Sequence, residues 1–135
     1  MKEKILFVNS CVRGENESRT LALAKTALSR LDGDIEEIRL ADADLKPLDA
    51  AGLAKRAESA EKNDFSDPVY DCAKQFAACD TVVIAAPFWD YSFPAFLKIY
   101  IESLCVGGLT FLYGSDGVPI SYCRAKRLIY ITTSG

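Results

Sequence analysis

Two clusters of side chains in this chain are suited to chemistry. The first lies in a polar stretch and comprises Ser10, Arg13, Ser18, Arg19 and Thr20. Hydroxyls and guanidinium groups around the start of a helix suit an anion, because free backbone N–H groups and the positive end of the helix dipole meet there. Arginine adds bidentate bonding to phosphate. The second cluster is Phe88, Trp89, Tyr91 and Phe93, four aromatics within six residues. Such rings can stack on or wall in a planar ligand, and Asp90 among them suits a turn. The plain alternatives are a capped helix behind a polar loop, and aromatics that only cover a strand end.

Several chemistries are excluded at the outset. The chain has 135 residues and no histidine. Ser-His-Asp and Cys-His nucleophile systems, histidine-ligated metals and histidine acid–base catalysis are therefore absent. No side chain stands out as a required acid or base. Five cysteines, Cys11, Cys72, Cys79, Cys105 and Cys123, form no CxxC pair; the odd count points to a reducing cytoplasm and away from a disulfide framework or structural zinc. A net charge of -3 gives no basic footprint for nucleic acid. No apolar run is long enough to span a membrane. Lys2 and Lys4 precede only four apolar residues, Ile5, Leu6, Phe7 and Val8, too few for a signal peptide.

The elements that must position the clusters follow from hydrophobic period. Residues 4–9 and 81–86 are short apolar runs that fit strands buried on both faces of a parallel sheet. Residues 127–133 repeat the pattern. Residues 35–40 carry Glu36, Glu37 and Arg39, as an edge strand would. A helix is expected from Ser18, with Leu21, Ala24, Leu28 and Leu31 as its apolar stripe and Gly33 as its stop. Residues 50–63 favour helix without a strong apolar face. Asp67 and Pro68 suit the start of another helix, with Val69, Cys72, Ala73, Phe76 and Ala77 on its inner face. The helix at 94–106 is apolar nearly all round, apart from Lys98, Glu102 and Ser103, so two of its sides should be covered. Residues 110–121 read as a hairpin-like excursion, with Gly114, Asp116, Gly117 and Pro119 as turn residues.

This alternation gives an α/β fold of three layers, α/β/α, with a parallel sheet in the flavodoxin-like strand order 2-1-3-4. In that order the carboxyl ends of the first, third and fourth strands converge, and ligands bind there. An anion loop beside an aromatic loop at neighbouring strand ends describes a mononucleotide such as FMN. There is no Walker A or GxGxxG pattern. A Cys-x5-Arg phosphatase loop fails on spacing, since seven residues separate Cys11 from Arg19.

The chain resembles the flavodoxin-like NAD(P)H-dependent FMN oxidoreductases that include FMN-dependent azoreductases and NAD(P)H:quinone reductases. The resemblance is carried by Ser10, by Ser18-Arg19-Thr20, by the run from Ala86 through Pro87, Phe88, Trp89, Asp90, Tyr91, Ser92, Phe93 and Pro94 to Lys98, by Gly107-Gly108, and by Thr132-Thr133-Ser134-Gly135. Asp90 and Tyr91 stand where azoreductases usually have Asn and Phe. The resemblance implies that Ser10, Ser18 and Thr20 hold the FMN phosphate; Arg19, suited to an anion in the same loop, is counted with the cofactor-binding residues. It implies that Pro87, Phe88, Trp89, Asp90 and Tyr91 line the isoalloxazine ring, and that Thr133, Ser134 and Gly135 approach its other edge. It also implies NAD(P)H as electron donor, a small-molecule acceptor (a quinone, azo or nitro compound), ping-pong hydride transfer through flavin N5, and a homodimer. A flavodoxin-type electron carrier without turnover is the alternative. Family chains continue through a fifth strand and a last helix, so residues 1–135 are expected to be a single domain lacking its carboxyl-terminal part. The strand at 127–133 would then be an apolar edge, and FMN binding weak or lost.

Overall fold

The computed structural model describes residues 2–135. Four strands build the central sheet: β1 (Lys4–Asn9), β2 (Asp34–Arg39), β3 (Thr81–Ala85) and β6 (Arg127–Ile131). All pair in parallel, in the order β2-β1-β3-β6. This is the expected 2-1-3-4 order, with two hairpin strands intervening before the fourth. The apolar runs take the centre: every residue of β3, and β1 from Ile5 to its end, is buried. Polar β2 and apolar β6 take the two edges; β6 does not have the two-sided burial its apolar run suggests, because no described strand lies beyond it, and Leu128 and Tyr130 are exposed.

Alternation along the strands divides the core into two layers. Leu6, Val8, Val82 and Ile84 pack with Leu97, Tyr100 and Leu104 of α4 (Ala95–Leu104). Ile5, Phe7, Val83, Ala85 and Ile131 pack with Leu21, Ala24 and Leu28 of α1 (Arg19–Leu28). Fully burying a leucine contributes about 1.5–3 kcal/mol, so these two helices are fixed on opposite faces. The second apolar side of α4 leaves Phe96 exposed. The hairpin of β4 (Phe111–Tyr113) and β5 (Pro119–Ser121) is antiparallel, as the turn residues predict.

Ser18 caps α1 as expected, accepting the Leu21 N–H at 3.1 Å. The stop differs: α1 ends at Leu28 with Ser29 as its cap, five residues before Gly33. Gly33 has another task. A Cβ there would lie 2.5 Å from the Glu3 carbonyl oxygen and 2.9 Å from Ile5 Cδ1, so the glycine permits the close crossing into β2.

The helix after Asp67 also begins differently. Asp67 caps a 3-10 turn, Pro68–Tyr70, and α3 proper is Asp71–Ala78. A 3-10 turn advances 120° per residue and not 100°, so the inward face shifts: Val69 is 59 % exposed and Tyr70 is buried. Helix α2 (Ala50–Lys62) buries no residue. It is tied down by Arg56, which donates to the Glu102 and Cys105 carbonyls at 2.7 and 3.0 Å. A cation at those carbonyls complements the end of α4. Among the described residues no helix is long and apolar enough to cross a membrane.

Candidate functional site

The carboxyl ends of β1, β3 and β6 bring three loops side by side, as the strand order predicts. The loop after β1 begins on Asn9, which is 1 % exposed. Its Oδ1 accepts the Cys11 N–H at 2.9 Å and its Nδ2 donates to Glu37 at 3.2 Å. This is an Asx turn that folds the loop back over the strand end. Arg39 holds the same loop through the Val12 carbonyl at 3.3 Å. Ser10 is buried, and its hydroxyl donates to the Ala85 carbonyl at 2.7 Å. The loop ends where Ser18 caps α1. Among the described residues the N–H groups of Arg19 and Thr20, the first two of the helix, donate to no protein acceptor. Arg13, in the same loop, is exposed. Free N–H groups and a cap hydroxyl at a helix start suit an anion, and a cation in the loop adds to that.

Cys11 does not support thiolate chemistry. It is 1 % exposed, and burial pushes its thiol above the usual range, against the opposing pull of a Ser18 hydrogen bond and the Arg39 charge. A thiol held protonated is a poor nucleophile, in keeping with the failed phosphatase spacing.

The loop after β3 carries the aromatics outward. Phe88, Trp89 and Tyr91 are 46 %, 40 % and 95 % exposed, so these three rings do not simply seal the strand end. Phe88 and Tyr91 meet edge to face at 6.3 Å between centroids. Trp89 and Ser92 exchange two backbone hydrogen bonds of 2.8 Å across a two-residue turn. The turn residues Asp90 and Tyr91 have φ of 50° and 63°. Both positions of such a turn favour Asn-Gly, and a bulky residue there is strained. Strained backbone of this kind clusters at functional sites. Among the described residues the N–H groups of Asp90 and Tyr91 have no protein acceptor, leaving donors for a ring edge.

The third loop joins the other two. The Thr133 carbonyl accepts the Phe88 N–H at 3.1 Å. Its hydroxyl lies 2.6 Å from that of Thr20, and the Ser134 carbonyl accepts from Arg19 at 3.2 Å. The residues named from the sequence for this site, Ser10 and Ser18–Thr20, Pro87–Tyr91 and Thr133–Gly135, thus lie on these three loops or, for Arg19 and Thr20, on the first turn of α1. Asn9 and the joining bonds of Thr133 were missed. An asparagine at a strand end, two residues before the loop turns, was the available signal for the first. The second depends on Phe88 and Thr20, both distant in the chain, and left no local trace.

A parallel sheet in this order defines a flavodoxin-like fold. A family model described as a flavodoxin-like fold matches residues 3–135. An FMN-dependent NADH:quinone oxidoreductase of Clostridium perfringens (strain SM101) is 31 % identical over 137 positions, covering 98 % of this chain and 69 % of that protein. FMN-dependent NADH:quinone oxidoreductase 2 of Clostridium acetobutylicum is 32 % identical over 138, covering 98 % and 68 %. The solved azoreductase of Bacillus anthracis str. Sterne shares the fold at a TM-score of 0.77 and 24 % identity, covering 98 % of this chain and 69 % of that one. The chain belongs to the flavodoxin-like family that contains the FMN-dependent NADH:quinone oxidoreductases.

Proposed function

We propose that this chain is an FMN-dependent NAD(P)H oxidoreductase that reduces quinones, with azo and nitro compounds as further acceptors. The observation that carries this is the juxtaposition of an anion-binding helix start with an exposed aromatic turn at adjacent strand ends. The donor set fits FMN. The Arg19 and Thr20 N–H groups, the Ser18 hydroxyl and Arg13 would hold the phosphate. Ser10 would join them by turning its hydroxyl from the Ala85 carbonyl. Pro87, Phe88, Trp89, Asp90 and Tyr91 would line the ring, with the free N–H groups of Asp90 and Tyr91 toward its polar edge. Thr133, Ser134 and Gly135 would flank the other edge. Bound FMN would supply the redox chemistry, a ping-pong hydride relay through N5 between NAD(P)H and the acceptor. The protein's own groups bind, orient and exclude water. That division of labour suits a site without histidine.

Residues 1–135 belong to one flavodoxin-like domain in this assignment, with β6 at one edge of the described sheet. A homodimer is part of the proposal, supported by exposed Phe96 on α4 and by Leu112, Val118 and Ile120 on the hairpin. A reducing cytoplasm is supported by five free cysteines. The test is NAD(P)H oxidation by the purified chain with added FMN and a naphthoquinone. Acceptor-dependent, FMN-dependent turnover is expected. FMN binding without turnover would reassign the chain as an electron carrier.

A further inference from the structure

The bonds that link the three loops are few and unevenly placed. The floor is shared: Ser10 is bonded to the Ala85 carbonyl, and the Ala86 N–H to that of Ile131 at 2.9 Å. Above that floor, no hydrogen bond among the described residues joins the phosphate-side loop directly to the aromatic loop. Both are joined instead to the loop after β6. Thr133 faces both ways, with its carbonyl on Phe88 and its hydroxyl on Thr20. Thr20 is 1 % exposed, so its hydroxyl relies on this partner. Arg19 reinforces the junction. Its guanidinium is bonded to the Ser134 carbonyl and lies 3.6 Å from where a Cβ on Gly135 would be. It forms no ion pair among the described residues.

We propose that the Thr20–Thr133 hydroxyl pair and the Arg19–Ser134 bond form a clasp that sets the separation of the phosphate-side and ring-side loops before flavin arrives. Arg19 and Thr133 are then positioning residues, acting through loop order and not by contact with the phosphate. The inference rests on the FMN assignment and corrects the expectation that the Arg19 side chain holds the phosphate.

The experiment compares wild type with Thr20→Val, Thr133→Val, Thr133→Ser, Arg19→Gln and the Thr20→Val/Thr133→Val pair. FMN and riboflavin, which lacks the phosphate, are titrated against each. Backbone amide exchange over 87–93 and 132–135 is followed without flavin. A clasp predicts that Thr133→Val and Arg19→Gln each weaken both flavins by the same factor, about three- to tenfold, the size of one lost hydrogen bond. Thr133→Ser restores affinity, and the double variant is no worse than its worse single. Exchange in 132–135 speeds up in Thr133→Val and Arg19→Gln. If Arg19→Gln weakens FMN and leaves riboflavin unchanged, Arg19 is a phosphate ligand and the proposal fails. Unchanged exchange in Thr133→Val also overturns it. If wild type binds neither flavin, the FMN assignment fails, while exchange still decides whether the clasp exists.

Discussion

Replacing Asn9 by alanine should loosen the whole first loop. The side chain is 1 % exposed and makes two hydrogen bonds, to the Cys11 N–H at 2.9 Å and to the Glu37 carboxylate at 3.2 Å. The truncation removes both and leaves the buried Cys11 N–H without its acceptor. A hydrogen bond contributes about 0.5–1.5 kcal/mol net, more to a charged group, and a stranded buried donor costs about 1–3 kcal/mol. Asn9→Ala should therefore cost about 2–4 kcal/mol, which at this chain length lowers Tm by about 6–14 °C. Asn9→Asp separates the two bonds. It keeps the acceptor for Cys11 but sets a carboxyl against Glu37. Burial and that like charge raise the new carboxyl's folded pKa above its unfolded value of about 3.9. The folded state then holds the proton more tightly, so stability relative to wild type falls as pH rises from about 4 and levels off above the folded pKa. Calorimetry of wild type and both variants from pH 4 to 8 reads these effects. A loss below about 1 kcal/mol for Asn9→Ala, or no relative pH dependence for Asn9→Asp, would refute Asn9 as the organiser of the loop.

Other outcomes follow from single contacts. Replacing Asp90 and Tyr91 together by Asn-Gly relieves two left-handed side chains, each strained by about 1–2 kcal/mol, against the flexibility of the new glycine. A scanning Tm should not fall, while flavin retention does; a lower Tm would show that the turn is unstrained. Gly33→Ala must displace the Glu3 backbone and should cost about 2–4 kcal/mol, visible as a lower urea midpoint; a neutral result would contradict the tight crossing into β2. Exposed Cys105 should be alkylated by iodoacetamide at pH 8 well before Cys11, whose thiol is buried and raised. Mass mapping after brief labelling checks the order, and early modification of Cys11 would reopen the thiolate chemistry set aside above.

The sheet was legible because its signals are local. Uninterrupted apolar runs at β1 and β3 require cover on both faces, and the charges of Glu36, Glu37 and Arg39 place β2 at an edge. The three loops were legible for the same reason, since strand order alone brings their ends together. Phase and partnership were less so. Gly33 lies where a helix stop is common, yet its cause is the Glu3 carbonyl across the sheet. Val69 fits a helical stripe until the 3-10 turn at Pro68–Tyr70 rotates it outward. Arg19 beside a helix start suggests phosphate, and only the fold shows its guanidinium bonded to the Ser134 carbonyl, 115 positions away.

The proposed function places FMN at the three strand-end loops. Titrating the purified chain with FMN, followed by quenching of flavin fluorescence, tests it most directly. Saturable one-to-one binding is expected, and Trp89→Ala, which removes a ring wall, should weaken it. No saturable quenching up to about 1 mM FMN, or binding indifferent to Trp89→Ala, would contradict it.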